Sequence, residues 1–154
     1  MLRLSFSLPD ESSSWWRKWG NLRQEEAVAE VGEMRLRYHF CAAQIDFVVG
    51  GVSFIHEYLP LIDFALQMRW LVTRLPLGEE TTVDFTENAE IIRFTVEGDL
   101  VRVHASWGEL AASAPLVEMV EALDVFLPKA YATLVAEVPG LEDNPTVQQI
   151  MATP

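Results

Sequence analysis

The chain is poor in cysteine and in basic residues, and both shortages exclude classes of protein. Cys41 is the single cysteine in 154 residues, which excludes an internal disulfide and a cysteine-rich zinc site. Only 11 lysines and arginines face 23 aspartates and glutamates, giving a net charge of −12, which disfavours nucleic-acid binding over a broad basic surface. No apolar run reaches the ~18 residues of a membrane span, and residues 1–8 alternate instead of resembling a signal peptide. We therefore expect a cytoplasmic protein with no membrane partner.

Half of the residues are hydrophobic, which suits a chain of this length with one buried core. We expect a single α+β domain over residues 1–140 and a loosely attached tail over 141–154. Helical spacing of apolar residues predicts two long helices, at 59–75 and 116–138, and Pro128 is expected to kink or split the second. Alternating apolar and polar residues predict strands at 1–8, 34–40, 44–49, 52–55, 82–86, 92–97 and 101–107. The predicted fold is a mostly antiparallel sheet of five to six strands with both helices packed on one face.

The sequence predicts the strand pairing in most detail for a hairpin around Gly98-Asp99. A two-residue loop there pairs Glu97 with Leu100 and so fixes the register of both strands. In that register Val96, Phe94 and Ile92 lie opposite Val101, Val103 and Ala105, with every apolar residue on one face.

The same alternation places arginines and histidines together on the polar face of the predicted sheet. Such a face could form an anion site or a histidine–aspartate pair with Asp46 or Asp84. Ordinary solvent-facing cross-strand pairs, such as Arg93 opposite His104, explain the pattern more simply, and we favour that interpretation. The residues of this alternative ligand site are Arg35, Arg37, His39, Arg93, Arg102 and His104.

The sequence contains no motif that assigns a catalytic residue. His56 has no second histidine at the four-residue spacing of a zinc helix, and no glycine-rich loop suits a phosphate. Cys41 lacks an adjacent histidine or a second cysteine, so a plain structural thiol is the simpler interpretation. We expect no metal and no cofactor, and we favour a protein that is not an enzyme.

Charge is distributed very unevenly along the chain. Residues 1–74 contain 9 acids and 8 bases, whereas residues 75–154 contain 14 acids and 3 bases. Part of the excess lies at Glu118, Glu121 and Asp124. An acidic surface can serve solubility alone, or it can attract a basic partner. Trp70, on the polar face of its predicted helix, is either covered by the N-terminal segment or exposed as an anchor. The predicted partner-binding residues are Glu79, Glu80, Asp84, Glu87, Glu90 and Trp70.

The stretch from Met34-Arg-Leu-Arg-Tyr-His-Phe to Trp107 resembles a family of small uncharacterised bacterial α+β domains. The resemblance rests on hydrophobic patterns around Gly51-Val52-Ser53-Phe54, Pro60 to Trp70 and Asp84-Phe85, and it covers about half of the chain. Domains of this kind resemble the immunity proteins of polymorphic toxin systems. The resemblance implies a non-enzymatic binding role, with a basic toxin domain such as a nuclease as partner. The alternatives are a small ligand-binding domain or enzyme that uses the arginine and histidine face, and a self-associating subunit whose tryptophans bury against a second copy.

Overall fold

The structure is a computed structural model that describes residues 1–85 and 90–152. These residues form two antiparallel sheets and five α-helices. The first sheet has the order β1 (Leu2–Ser7), β2 (Ala42–Val49) and β3 (Val52–Pro60), and the second has the order β4 (Thr81–Asp84), β5 (Ile91–Glu97), β6 (Leu100–Ala105) and β7 (Ala111–Pro115). The helices are α1 (Arg17–Arg23), α2 (Glu33–His39), α3 (Leu61–Arg74), α4 (Leu116–Glu137) and α5 (Pro145–Gln148). The α+β class is confirmed, but the single sheet of five to six strands is replaced by two sheets of three and four.

The hairpin of β5 and β6 has the predicted register. Glu97 pairs with Leu100, and Val96, Phe94 and Ile92 lie opposite Val101, Val103 and Ala105. Gly98 has a φ of +64°, a left-handed conformation that suits glycine in a two-residue turn. The turn and the apolar alternation therefore specify the same pairing.

Residues 34–40 are the clearest error of the sequence prediction, because most of them form helix α2 and not a strand. Glu33 and Arg37, four residues apart, form an ion pair of 3.7 Å along this helix. Only Leu36 is fully buried within the helix, whereas Met34 is 68% exposed. The alternation of apolar residues here does not correspond to one buried face.

Aromatic contacts join both sheets and the two long helices into one core. The ring of Phe126 on α4 lies 5.6 Å from Phe6 on β1 and 5.6 Å from Phe64 on α3. Phe47 on β2 lies 6.0 Å from Phe94 on β5, so the first sheet contacts the second through these rings. The two sheets thus share a hydrophobic core with α3 and α4.

Helix α4 continues through Pro128 for 22 residues, so the predicted split is absent. Pro128 is solvent-exposed, while its neighbour Leu127 and the nearby Ala130 are buried. A proline removes one backbone donor, and burial of the neighbouring residues offsets that loss. Helix α4 begins at Leu116, as predicted, and follows directly on strand β7, which ends at Pro115.

Residues 141–152 pack against the rest of the protein, in contrast to the expected loose tail. Leu141, Val147 and Ile150 are completely buried. The amide of Asn144 donates to the carbonyl oxygens of Val28 and Val31, at 3.0 and 3.1 Å. This segment therefore contributes to the core and is held by specific hydrogen bonds.

Candidate functional site

An open groove of about 540 Å³ runs beside helix α3. Arg37 of α2 and Thr82 of β4 line two of its sides, and the C-terminal segment contributes Gln149 and Ala152. Helix α3 supplies the remaining lining residues, which are Leu66, Gln67, Arg69, Trp70 and Thr73. The volume lies within the range of small-molecule sites, and the lining combines apolar, aromatic and cationic groups.

A buried carboxylate organises one side of the groove. Asp63 is only 6% exposed, and its Oδ1 accepts a hydrogen bond of 2.7 Å from Nε of Arg37. Its second oxygen accepts a hydrogen bond of 2.9 Å from the amide of Gln67. Burial opposes the charge of Arg37, yet the hydrogen bond and the charge of Asp63 outweigh it and raise the pKa of the guanidinium. Arg37 is thus fixed in its charged form at the groove.

Trp70 lies at the rim of the groove and is 54% exposed, so the N-terminal segment does not cover it. The guanidinium carbon of Arg74 lies 3.8 Å from the centre of its indole ring, in a cation–π contact. Nη1 of Arg74 also contacts Oε2 of Glu79 at 2.9 Å. A tryptophan, an arginine and a glutamate therefore form a contiguous exposed patch.

The predicted acidic residues near Trp70 are partly neutralised by the protein's own arginines. Glu79 pairs with Arg74, and Glu80 pairs with Arg93 at 3.1 Å. Asp84 has an exposed side chain, and its backbone bonds to Gln67. The carbonyl of Glu90 accepts from Phe85 N, and Glu87 lies outside the described residues.

The six residues of the alternative ligand site lie on two kinds of element, and not on one sheet face as expected. Arg93 faces His104 across β5 and β6, with Arg102 one row along, as the register predicts. Helix α2 carries the other three, which are Arg35, Arg37 and His39. The sequence places these three on the sheet because apolar and polar residues alternate there as in a strand. In the structure they belong to α2, which packs on α3 and β3.

The histidine–aspartate contact that the structure contains joins a different pair from the one expected. Nδ1 of His56 lies 2.5 Å from Oδ1 of Asp46, on neighbouring strands of the first sheet. Ser5 lies opposite Asp46 on the side away from His56, so the carboxylate is the middle residue. Nucleophilic catalysis requires the base in the middle. These three residues therefore lack the order of a catalytic triad.

Sequence reasoning missed the roles of Asp63, Gln67 and Arg69. Asp63 and Gln67 are four residues apart on a helix, a spacing that allows the hydrogen bond observed between them. That spacing was the available signal for the pair. The position of Arg69 in the groove depends on where α2 and the C-terminal segment pack, which no local pattern gives.

The remaining findings concern metals, membranes and known proteins. Within residues 1–85 and 90–152, no group of three or more histidine, cysteine, aspartate and glutamate side chains could hold a metal ion. Over the same ranges, no helix combines the length and the apolar composition that crossing a bilayer requires. The chain matches no family model, no curated protein and no solved structure. Its own residues and geometry therefore carry the argument about function.

Proposed function

We propose that this protein is a non-enzymatic binding protein that captures a basic polypeptide through one face of helix α4. The α4 face consists of Val117, Glu118, Glu121, Asp124 and Val125. These positions recur at helical spacing and form one stripe along the helix. An immunity protein bound to a basic toxin domain, as the sequence resemblance implies, is the form of this function that we favour.

The observation that carries the proposal is the contrast between two groups of acids. Glu79 and Glu80 are occupied by Arg74 and Arg93. The acids of the α4 face are exposed and form no ion pair with any residue of the described ranges. Unpaired carboxylates retain their full attraction for a cationic partner, because no internal arginine has to be displaced first.

Exposed apolar side chains on the same face support a protein partner over simple solubility. Val117 is 67% exposed and Val125 is 70% exposed, and they flank the three acids. Protein interfaces combine apolar groups, which lose contact with water on binding, with charged groups that steer the partner and set specificity. A cationic partner with apolar side chains would desolvate both valines while its charges meet the carboxylates.

The edge of the first sheet extends this surface. A shallow groove of about 450 Å³ lies between β1 and α4, and its lining combines one base with two acids and apolar groups: Leu2, Arg3, Leu4, Glu118, Glu121, Ala122 and Val125. Gly50 N donates to Met1 O at 2.7 Å, so by the alternation of an antiparallel ladder the backbone groups of Leu2 and Leu4 point away from β2. No described strand pairs with that side of β1. An extended basic segment of the partner could therefore add to this edge.

Co-expression with the product of the adjacent gene tests the proposal. In a bacterial host, we expect the adjacent gene to arrest growth when it is expressed alone and to be tolerated when this chain is present. The triple variant E118Q/E121Q/D124N removes the charge of the α4 face with little change in shape. It should lose the protection and weaken the purified complex by about a hundredfold or more, since each of the three close charge pairs contributes on the order of 1 kcal/mol or more.

The double variant E79Q/E80Q is the matched control, because it removes acids that are already paired internally. It should keep both protection and affinity. If E79Q/E80Q loses binding and the triple variant keeps it, the partner surface lies beside Trp70 and the assignment to α4 is wrong. If the adjacent product is harmless and binds neither at low salt nor at physiological salt, the immunity function is rejected.

A further inference from the structure

The groove beside α3 differs in charge from the rest of the protein. Acids outnumber bases by 23 to 11 in the whole chain, yet the residues that line this groove include two arginines and no acid. The nearest buried carboxylate, Asp63, is already bonded to Arg37 and to Gln67. Because Arg37 is paired with Asp63, the charge that remains to attract an anion to this groove is that of Arg69.

Arg69 brings to the groove a guanidinium that has no ion-pair partner among the described residues. Its side chain is half-buried. A guanidinium that is partly withdrawn from water gains most from a carboxylate or phosphate, because two parallel hydrogen bonds replace lost hydration. Arg37 lies on the same groove but is already paired with Asp63. Arg69 is therefore the group available to an external anion.

Trp70 supplies a flat apolar surface next to that cation. It directly follows Arg69 in α3, lines the same groove and is half-exposed. Arg74 covers one face of the indole and leaves the side chain accessible elsewhere. Aromatic rings stack or pack edge-to-face on such a surface.

Hydroxyl and amide groups complete the lining. Thr73, Thr82, Gln67 and Gln149 bring neutral donors and acceptors to the groove. Gln67 is committed to Asp63 and Asp84, and the hydroxyl of Thr73 donates to the carbonyl of Arg69. Thr82 and Gln149 remain to bond with the polar edge of a ligand. A volume of about 540 Å³ accommodates a molecule of one or two fused rings.

We propose that this groove binds a small aromatic anion whose ring packs on Trp70 and whose carboxylate or phosphate is held by Arg69. The site is independent of the α4 face, and either assignment can fail without the other. Both ligand sources, an aromatic carboxylate and an aromatic phosphate, share the chemistry of a planar ring with an attached oxyanion.

Calorimetry with matched probes tests the proposal on the full chain. The probes are 2-naphthoate and 2-naphthyl phosphate, with neutral 2-naphthamide and the non-aromatic anions acetate and inorganic phosphate as comparisons. We expect one or both aromatic anions to bind, and the tighter of the two identifies the oxyanion. The amide and the non-aromatic anions should bind about tenfold more weakly or worse, since each lacks one of the two interactions.

Variants locate the binding within the groove. Arg69→Gln and Trp70→Leu should each weaken the aromatic anion by about tenfold, since each removes one of its two anchors. Arg17→Gln and Trp15→Leu change an exposed arginine and an exposed tryptophan elsewhere and should leave the affinity unchanged. Melting curves establish that each variant is folded. If Arg69→Gln does not fold, the salt dependence of binding to the unmodified chain tests the role of charge instead. Raised salt should weaken the binding of naphthoate and leave the binding of naphthamide unchanged. Binding of the amide as tightly as the acid, or no binding of any aromatic anion, would overturn the proposal.

Discussion

Gln67 and Asp84 are joined by two hydrogen bonds between one side chain and one backbone position. The amide nitrogen of Gln67 donates to Asp84 O at 2.9 Å, and Asp84 N donates to Gln67 Oε1 at 2.8 Å. Strand β4 is at the edge of its sheet, and the side chain of Gln67 satisfies the two backbone groups of Asp84 that a further strand would otherwise bond. Since Gln67 also bonds to Asp63, the edge of the second sheet is tied to the buried ion pair with Arg37.

Replacing Gln67 with glutamate should destabilise the protein in a pH-dependent way. At pH 7 the new carboxylate cannot donate to Asp63 or to Asp84 O, and it places a second negative charge beside Asp63. We expect a loss of about 2 kcal/mol in the free energy of unfolding, measured by urea denaturation. The new carboxyl group has a raised pKa in the folded state, so its penalty shrinks as pH falls toward about 5 and it becomes protonated.

The control for this substitution is Gln148→Glu, because Gln148 makes one exposed hydrogen bond, to Glu142 O. It should cost about 0.5 kcal/mol or less. An equal loss for both variants would contradict the role assigned to Gln67.

The buried thiol of Cys41 should make stability fall at alkaline pH. Burial raises the pKa of Cys41 well above its usual value of 9.0, and nearby Arg23 offsets this only in part. The unfolded thiol ionises near that usual value while the folded thiol keeps its proton. Folding therefore binds a proton above about pH 9, and stability declines there by up to about 1.4 kcal/mol per pH unit.

Urea denaturation between about pH 8 and pH 10 measures this slope, since the unperturbed thiol titrates within that window. Cys41→Ala should flatten it, whatever the variant's stability at neutral pH. Burial also raises the pKa of Tyr38, which adds a further decline only above about pH 10. A slope that is unchanged in Cys41→Ala would assign the effect to another group.

Replacement by phenylalanine should destabilise the protein much more at Trp19 than at Trp15. Trp19 is fully buried, and its indole nitrogen donates to Ala42 O at 2.8 Å. Trp19→Phe loses this hydrogen bond and leaves a cavity, for which we expect about 2–4 kcal/mol of destabilisation by thermal or urea unfolding. Trp15 is exposed and stacks on Tyr58 at 5.0 Å, so Trp15→Phe should cost about 1 kcal/mol or less. Similar losses in both would mean that the burial of Trp19 is wrong.

Asn144→Asp should be among the most damaging single-atom changes in the chain. Both donor bonds of the buried Asn144 amide end on carbonyl oxygens, and its own oxygen accepts from Thr146 N at 2.9 Å. An aspartate would aim negative oxygens at those carbonyls without access to water, so we expect about 3 kcal/mol of destabilisation at pH 7. The penalty should shrink at acid pH as the carboxyl group is protonated. The exposed Asn21→Asp is the control and should be nearly neutral.

The parts of the fold that were predictable are those that local geometry determines. The β5–β6 hairpin has one turn length and one apolar alternation, and only one register satisfies both. The long helices α3 and α4 have apolar residues repeated over many turns, which leaves little ambiguity. Helix α2 has only seven residues and gives two conflicting signals. The spacing of Glu33 and Arg37 favours a helix, whereas the alternation of apolar residues is typical of a strand.

The division into two sheets and the groove beside α3 were not predictable for a different reason. Alternation shows that a segment is a strand but does not show which strand is its neighbour. Arg37, Asp63 and Gln67 come together with β4 only after α2 packs on α3, over as many as 47 positions of sequence between Arg37 and Asp84. The sequence shows that Glu79 and Glu80 belong to an acidic cluster, but their internal partners, Arg74 and Arg93, depend on the same tertiary packing.

The hydrogen bonds of Asn144 span 113 and 116 positions to Val31 and Val28. A ribosome releases a chain in order from its amino end, so the turn at 28–30 is made long before the amide that secures it. Residues 28 and 31 therefore gain these two hydrogen bonds only after Asn144 has left the exit tunnel. A translating complex halted before residue 144 should therefore display residues 28–31 to proteases, and release of the finished chain should protect them.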